Sequence, residues 1–566
     1  MLLEKLREYS GRLDLDPPMY LKTPIKWLID LDGRGRFINF VPTTQEAGSK
    51  KDRGKEFSAP HIGRASGVRA KLLADNGEYV LGLARDKSKQ IRADECHRAF
   101  VEQVRTCADT TGEQSVRAVL GFLEHLDVAE LSFPKDWDPA HTMTFRVQGL
   151  LPINLRSVQE YWCAVAAGDE EANSKSADMP MSCLICGQLR PPVKRHQFKI
   201  KRIPGGQTSG MAMISANVPA FESYGLEASL IAPTCQQCGE QFTKAANTLI
   251  EGEDTHVTVG PLVYIFWTKG EQPFSVATLL GRPEPSDVRA LIESAFRGTT
   301  AATKLDGRPF YATAFSASGG RVVVRDWLDT TIGEVRRNLA RYFVLQRLIE
   351  WDGAEGRPYG LFALGASTVH DVNRELSPQV PKALLHMALK GGPLPMWLLF
   401  QAVKRNRAEQ GITRPRAVLI KMALFSQRPN IGEDSMINLN MSDQDQAYLC
   451  GRLLAVLEAI QREAIPGAKA TITDRFFGTA SSAPASVFGR LIRGAQPHLA
   501  RLRKDRRGAY EALEKRLEEV QQNLATFPKT LTLQEQGLFG LGYYHQRAAD
   551  RAAAIAHKQA RNQQAD

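Results

Sequence analysis

The chain has 566 residues, 43% apolar and 24% charged, enough to bury the cores of about three or four ordinary domains. Its 73 lysines and arginines against 62 acids give a net charge of +11 and a pI near 9.2, an excess that suits a polyanionic partner, either nucleic acid or an anionic membrane surface. No run approaches the roughly eighteen uncharged apolar residues of a membrane span, the N-terminus lacks a signal-peptide core, and eight cysteines are too few for a disulfide scaffold; the expectation is a soluble cytoplasmic protein.

In chain order, "LLEKLREYSGRL" near the start predicts a short amphipathic helix ending before Pro17 and Pro18. Alternation in "IKWLIDLDGRGRFINFV" (25–41) predicts a β-hairpin turning at Asp32, Gly33 and Gly35. Residues 43–67 are polar, basic and glycine-bearing, and predict a mobile loop; "YVLGL" then predicts a strand, and 93–126 a helical stretch. The middle of the chain reads mainly as strand and loop in "MTFRVQGLLP", "HVTVGPLVYIFW" and "FYATAFSASGGRVVVRDW". From about residue 330 the apolar spacing becomes helical and stays so to the end.

The fold class expected is therefore α+β and multidomain. A mixed, strand- and loop-rich N-terminal part carries an inserted four-cysteine segment, and a C-terminal α-helical bundle follows. The expected divisions are 1–180, 181–245, 246–375 and 376–566, with 436–566 a helical bundle of its own.

The strongest chemical signal is "CLIC" (183–186) with "CQQC" (235–238). Two C-x-x-C pairs offer four thiolates at the spacing of a closed tetrahedral zinc site, so Cys183, Cys186, Cys235 and Cys238 are the candidate ligands of a structural zinc. A pair of redox dithiols, or four unrelated buried cysteines, is the alternative. A glycine after each pair, Gly187 and Gly239, suits a tight knuckle turn.

Between the two pairs lies "VKRHQFKIKRIPGGQTSGMAMISANVPAFESYG" (193–225), a basic run followed by a glycine-hinged polar loop. It has neither the G-x-x-x-x-G-K-[ST] of a phosphate loop nor the G-x-S-x-G of a nucleophile elbow. It reads equally as a loop laid along a nucleic-acid backbone or as a surface turn capped by core aromatics Phe221 and Tyr224.

Enzyme signatures are sparse. His370–Asp371 is the dipeptide of metal-dependent phosphohydrolases but has no supporting motif, "DLDGRG" (30–35) fits a hairpin turn, and Asp474 fits a helix cap. In "GRLIRGAQPHLARLRKDRRG" (489–508), six arginines and a lysine recur at helical spacing. That run is either a solvated face or a phosphate-contacting one.

Taken together, "GRASGVRAKLLADNGEYVLG" (63–82), "GGQTSGMAMISANVPAFESYG" (205–225), "RVVVRDWLDTTIGEV" (321–335), "RPRAVLIKMAL" (414–424), "DRFFGTASSAPASVFGRLIR" (474–493) and "FPKTLTLQEQGLFGLGYYHQR" (527–547) carry a resemblance. The chain resembles the Csd-type large subunit of the type I-C CRISPR surveillance complex, Cascade. That resemblance implies a non-catalytic subunit of a guide-RNA ribonucleoprotein that also holds backbone and crRNA-processing subunits. It reads the protospacer-adjacent motif in double-stranded DNA, promotes R-loop formation, holds the displaced non-target strand and helps recruit a separate helicase-nuclease.

Carried onto this sequence, the resemblance places duplex and motif contacts in the N-terminal half. The candidates are Lys50, Lys51, Arg53, Lys55, Arg64, Arg69, Lys71, Asn76, Gln207, Thr208, Ser209 and Asn217. It places the displaced strand on Arg490, Arg493, Arg501, Arg503 and Lys504, and gives Tyr543, Tyr544 and His545 a core or subunit-contact role. It also implies small subunits made from an internal start, for which Met436 and Met441 are the candidates. The competing classes are a metal-dependent nuclease or phosphohydrolase using His370 and Asp371, and an unrelated zinc-ribbon RNA-binding protein.

Overall fold

In the computed structural model of the protein, which describes all residues except 45–51, 65–66, 174–179, 217, 271–273, 298–304, 428–435 and 564–566, the chain divides into two units. The first comprises residues 1–202, 206–248 and 318–322; the second comprises 203–205, 249–317 and 323–566. The cysteine-bearing segment groups with the N-terminal part. The fold class is α+β, as expected.

In the first unit, α1 (Leu2–Ser10) is followed by β1 (Tyr20–Ile25), β2 (Trp27–Leu31), β3 (Phe37–Pro42), β4 (Lys55–Pro60) and β5 (Ala74–Asn76). Then come α2 (Gly77–Val80), α3 (Gln90–Thr111), α4 (Gln114–Glu124), β6 (Thr142–Val147), α5 (Arg156–Asn173), β7 (Met181–Ser182), β8 (Leu189–Arg190) and α6 (Gln236–Glu251). The main sheet runs β3-β2-β6-β5, with β2 antiparallel to β3 and parallel to β6. The hairpin turn lies where the alternation placed it, with Asp32 Oδ1 accepting the amides of Arg34 (2.8 Å) and Arg36 (2.9 Å). Phe100, Phe122 and Phe145 from α3, α4 and β6 form the packed centre above that sheet.

Two expectations fail here. Residues 55–60, placed in a mobile loop, form β4 and pair antiparallel along β1, Tyr20 with Pro60 through Ile25 with Lys55. The ladder is closed by chain far away in sequence, and only Ala59 and Pro60 in it are buried, so no apolar run announces it. "YVLGL" is not a strand either: Asn76 Oδ1 accepts the Tyr79 amide (3.4 Å) and caps the short helix α2.

The second unit starts with a sheet in the order β12-β11-β10-β9, from β9 (His256–Val259), β10 (Leu262–Thr268), β11 (Pro309–Ser318) and β12 (Arg321–Thr331). Helices α7 (Val276–Gly281) and α8 (Pro285–Arg297) lie between β10 and β11 in sequence. After the sheet come α9 (Ile332–Gln346), α10 (Leu361–Ala366), α11 (Val372–Glu375), α12 (Gln379–Lys390), α13 (Met396–Ala408), α14 (Arg414–Phe425), α15 (Gln446–Ala464), α16 (Thr473–Ala480), α17 (Phe488–Asp505), α18 (Arg507–Gln521) and α19 (Leu533–Gln563). The pair α15 and α19 is its spine. A Cβ on Gly451 would stand 2.0 Å from the Phe539 carbonyl oxygen and one on Gly542 2.1 Å from that of Tyr448, so the helices touch backbone to backbone only because both positions are glycine. Tyr543, Tyr544 and His545 are buried in this spine, in agreement with a core role.

Candidate nucleic-acid interface and cysteine cluster

The four cysteines come together. One ligand atom from each of Cys183, Cys186, Cys235 and Cys238 lies within 4.8 Å of the others, and three of the residues are buried. Sγ of Cys186 and Sγ of Cys235 are 3.9 Å apart, close to the roughly 3.8 Å that tetrahedral thiolates bonded at about 2.3 Å to one zinc require. The first pair sits on a knuckle: Gly187 has φ +71°, and its amide donates to the Cys183 carbonyl at 2.8 Å. The second pair differs from expectation. Gly239 has no left-handed φ and lies inside α6; a Cβ there would meet His196 Nδ1 at 2.5 Å, so glycine is needed for the ring packed on it. Cys238 therefore lies in the first turn of a helix, and its hydrogen bond to Cys235, with burial, pushes its own thiol well above the usual range. Hydrogen bonding from Cys238 holds the Cys235 thiol down, to about 5. The donor set, its burial and its spacing fit a closed four-thiolate metal site.

Beside this cluster the structure joins two regions that were nominated separately. The Gly63 amide donates to Gln197 Oε1 (2.8 Å), and the His61 ring lies 5.3 Å from that of Phe198, so the 61–71 segment is fastened to the basic 193–202 run. His61 is pushed down to about 3, first by burial and then by the positive charges of Lys71, Lys201 and Lys244.

The N-terminal candidates separate by the work their side chains do. Arg64 grips the buried carboxylate of Asp75 with both terminal nitrogens, donates from Nε to the Arg69 carbonyl (2.7 Å) and stacks 3.9 Å over Tyr79. Arg69 Nη1 donates to the Gly63 carbonyl (3.2 Å), the Lys71 amide donates to Asp75 (3.1 Å), and Asn76 caps α2. Arg53 and Lys55 are exposed, as are Gln207, Thr208 and Ser209. These last three sit on a turn between Ile200 and Met211, which exchange backbone hydrogen bonds of 3.0 and 2.8 Å. Lys50, Lys51 and Asn217 lie outside the described residues.

The aromatic end of the polar loop is not a core lock. Tyr224 is 98% exposed at φ +54°, followed by Gly225 at φ +71°, in a tight turn closed by the Leu226 amide donating to the Ser223 carbonyl (2.9 Å). Phe221 is half exposed, with the Arg321 guanidinium 4.2 Å over its ring. The segment between Asn217 and Leu226 supplies too few apolar neighbours to cover either ring.

In the second unit, Arg490, Arg493, Arg501, Arg503 and Lys504 are all exposed on α17. Arg501 pairs with Asp505 (3.6 Å), and Arg490 lies 5.7 Å over the Phe476 ring. His370 and Asp371 belong to a helix start: the His370 amide donates to Glu375 Oε2 (3.0 Å), and Asp371 pairs with Arg374 (3.5 Å). Among the described residues the four cysteines are the only such group placed to hold a metal ion. Asp474 is not the N-cap of α16, which is Ile472 with no side-chain cap bond; from the first turn it accepts the Thr471 amide at 2.5 Å. No described helix is long and apolar enough to cross a membrane.

Exposed cations lie on loops of the first unit and on α17 of the second. Residues 3–550 match the family model described as CRISPR-associated protein (Cas_Csd1), so the chain belongs to that family, the Csd-type large subunits of CRISPR Cascade complexes. No curated protein matches the chain. Membership implies a ribonucleoprotein shared with other CRISPR-associated subunits.

Proposed function

We propose that the chain is the non-catalytic large subunit of a type I-C RNA-guided antiviral complex. It recognises the protospacer-adjacent motif in duplex DNA, promotes R-loop formation, holds the displaced strand and helps recruit a helicase-nuclease. The family match along nearly the whole chain carries this reading. Because guide–target pairing roughly balances the duplex it replaces, modest protein contacts to DNA decide whether the exchange proceeds. Arg53, Lys55, Gln207, Thr208 and Ser209 are the exposed N-terminal candidates for duplex contact. Arg64, Arg69, Lys71 and Asn76 act more by shaping the loop that presents them. The four cysteines hold a structural zinc that fastens the polar loop at both ends, and Met436 or Met441 starts a separately made small subunit.

The test is binding of the assembled guide-RNA complex to duplexes that share a target and differ only in the flanking motif. Affinity that depends on the flank is expected; equal affinity for every flank would sink motif reading. A C-terminal species beginning at Met436 or Met441 is expected in the purified complex by mass spectrometry.

A further inference from the structure

Helices α13, α16 and the start of α19 enclose a groove of about 700 Å³ in the second unit. Lys404 and Arg407 of α13 and Arg475 of α16 line it, with Gln410, Thr479 and Gln536 as their polar neighbours and no carboxylate in the wall. None of the three cations has an ion-pair partner among the described residues. The acids nearby are already engaged. Glu409 is held by Arg405 and Arg416, Asp474 by Thr471, and Glu535 by the amide and hydroxyl of Thr532. The groove is also fixed in shape, since Gln410 donates to the Arg407 carbonyl (2.6 Å) and accepts the Gly478 amide (3.1 Å), tying α13 to α16.

The same face of α13 carries exposed aromatics. Trp397 is 40% exposed and Phe400 52%, while Leu398 and Leu399 between them are fully buried. Trp397, Phe400, Lys404 and Arg407 recur at helical spacing, two rings followed by two cations. From Phe400 to Arg407 the helix rises about 10 Å, the length of about three nucleotides at 3.4 Å each. Arg490 over Phe476 extends the cationic line from α16 to α17.

We propose that this groove holds single-stranded nucleic acid, with Lys404, Arg407 and Arg475 on phosphates and Phe400 stacked on a base. A duplex keeps its bases stacked on each other and has no use for a half-exposed ring in a concave wall, whereas a single strand uses both ring and cations. The inference rests on the strand-holding role proposed above and moves its centre from α17 to this groove.

The test is fluorescence anisotropy of the full chain with an oligothymidylate of about 20 nucleotides, across a salt series, against a duplex of equal length. The combined Lys404→Gln, Arg407→Gln, Arg475→Gln variant is expected to flatten the log–log salt slope by about 2 for the single strand. Phe400→Ala and Phe400→Leu are each expected to weaken single-strand binding about tenfold with the slope unchanged, at an unaltered melting temperature. Wild-type binding by these variants, with loss on substituting Arg493, Arg503 and Lys504 by Gln, overturns the groove and leaves strand holding intact. Equal loss of duplex and single strand, or displacement of the oligonucleotide by polyglutamate of similar length, overturns a single-strand occupant. No single-strand binding by the wild-type chain sinks the strand-holding reading itself.

Discussion

In the first unit Arg64 has both terminal nitrogens on Asp75 and its plane on Tyr79; in the second, Lys404, Arg407 and Arg475 face a groove with no carboxylate in its wall. A cation beside a buried acid is part of the fold's own charge balance, and its removal is felt as lost stability. A cation at the surface without a partner costs the fold little and keeps its charge for something outside. Sequence alone shows both as basic residues in basic stretches.

The largest expected effect concerns the cysteine cluster of the first unit. Metal analysis of the purified chain should find one zinc held by Cys183, Cys186, Cys235 and Cys238. A strong chelator, or Cys238→Ser, should lower the unfolding temperature of that unit by many degrees, because metal affinity at a structural site is folding free energy. A metal-free chain with unchanged melting would remove zinc from the description.

Next is Asp75→Ala, which strands the Arg64 guanidinium and frees the Lys71 amide in a part-buried site. It should cost about 3 kcal/mol or more in chemical unfolding, whereas the triple groove variant of the second unit should stay within about 0.5 kcal/mol of wild type. A stable Asp75→Ala protein would break the contrast between the two sets of cations.

Acid should weaken both units by a shared mechanism. His61 in the first unit and His545 in the second are held near 3, chiefly by burial, against about 6.5 in the unfolded chain. Both are neutral when folded, so their contribution is complete above about pH 6.5 and is lost as pH falls toward 3. At pH 5 the loss is about 2 kcal/mol for each. Denaturant midpoints at pH 7 and pH 5 measure it, and His545→Gln should reduce the loss in the second unit alone.

Helices from Ile332 onward were readable because their apolar residues recur on one face and glycine or proline separates them. The cysteine cluster was readable because its spacing is chemical. The groove was not: Lys404, Arg475 and Gln536 come from three helices far apart in sequence, and Trp397 and Phe400 are exposed although Leu398 and Leu399 between them are fully buried. Strand β4 escaped for a similar reason, since its partner β1 lies on the far side of a hairpin. Local periodicity reports what an element is; which of its faces remains uncovered is decided by neighbours that periodicity does not name.

The smallest effect tests Tyr224. Its ring packs on nothing at 98% exposure, and its backbone sits at φ +54°, a conformation that costs a residue with a Cβ about 1 kcal/mol relative to glycine. For stability alone, glycine would serve better, so Tyr224→Gly should raise the first unit's stability by about 0.5–1 kcal/mol, partly offset by the freer unfolded chain. Tyr224→Asn, which tolerates the same φ, controls for the backbone. If the ring serves contact with DNA beside Gln207, Thr208 and Ser209, both variants lose affinity in the assembled complex although at least one is more stable. If binding is unchanged while stability rises, the polar loop reads DNA without its aromatic tip, and the first unit's contact surface contracts to its exposed polar and cationic side chains.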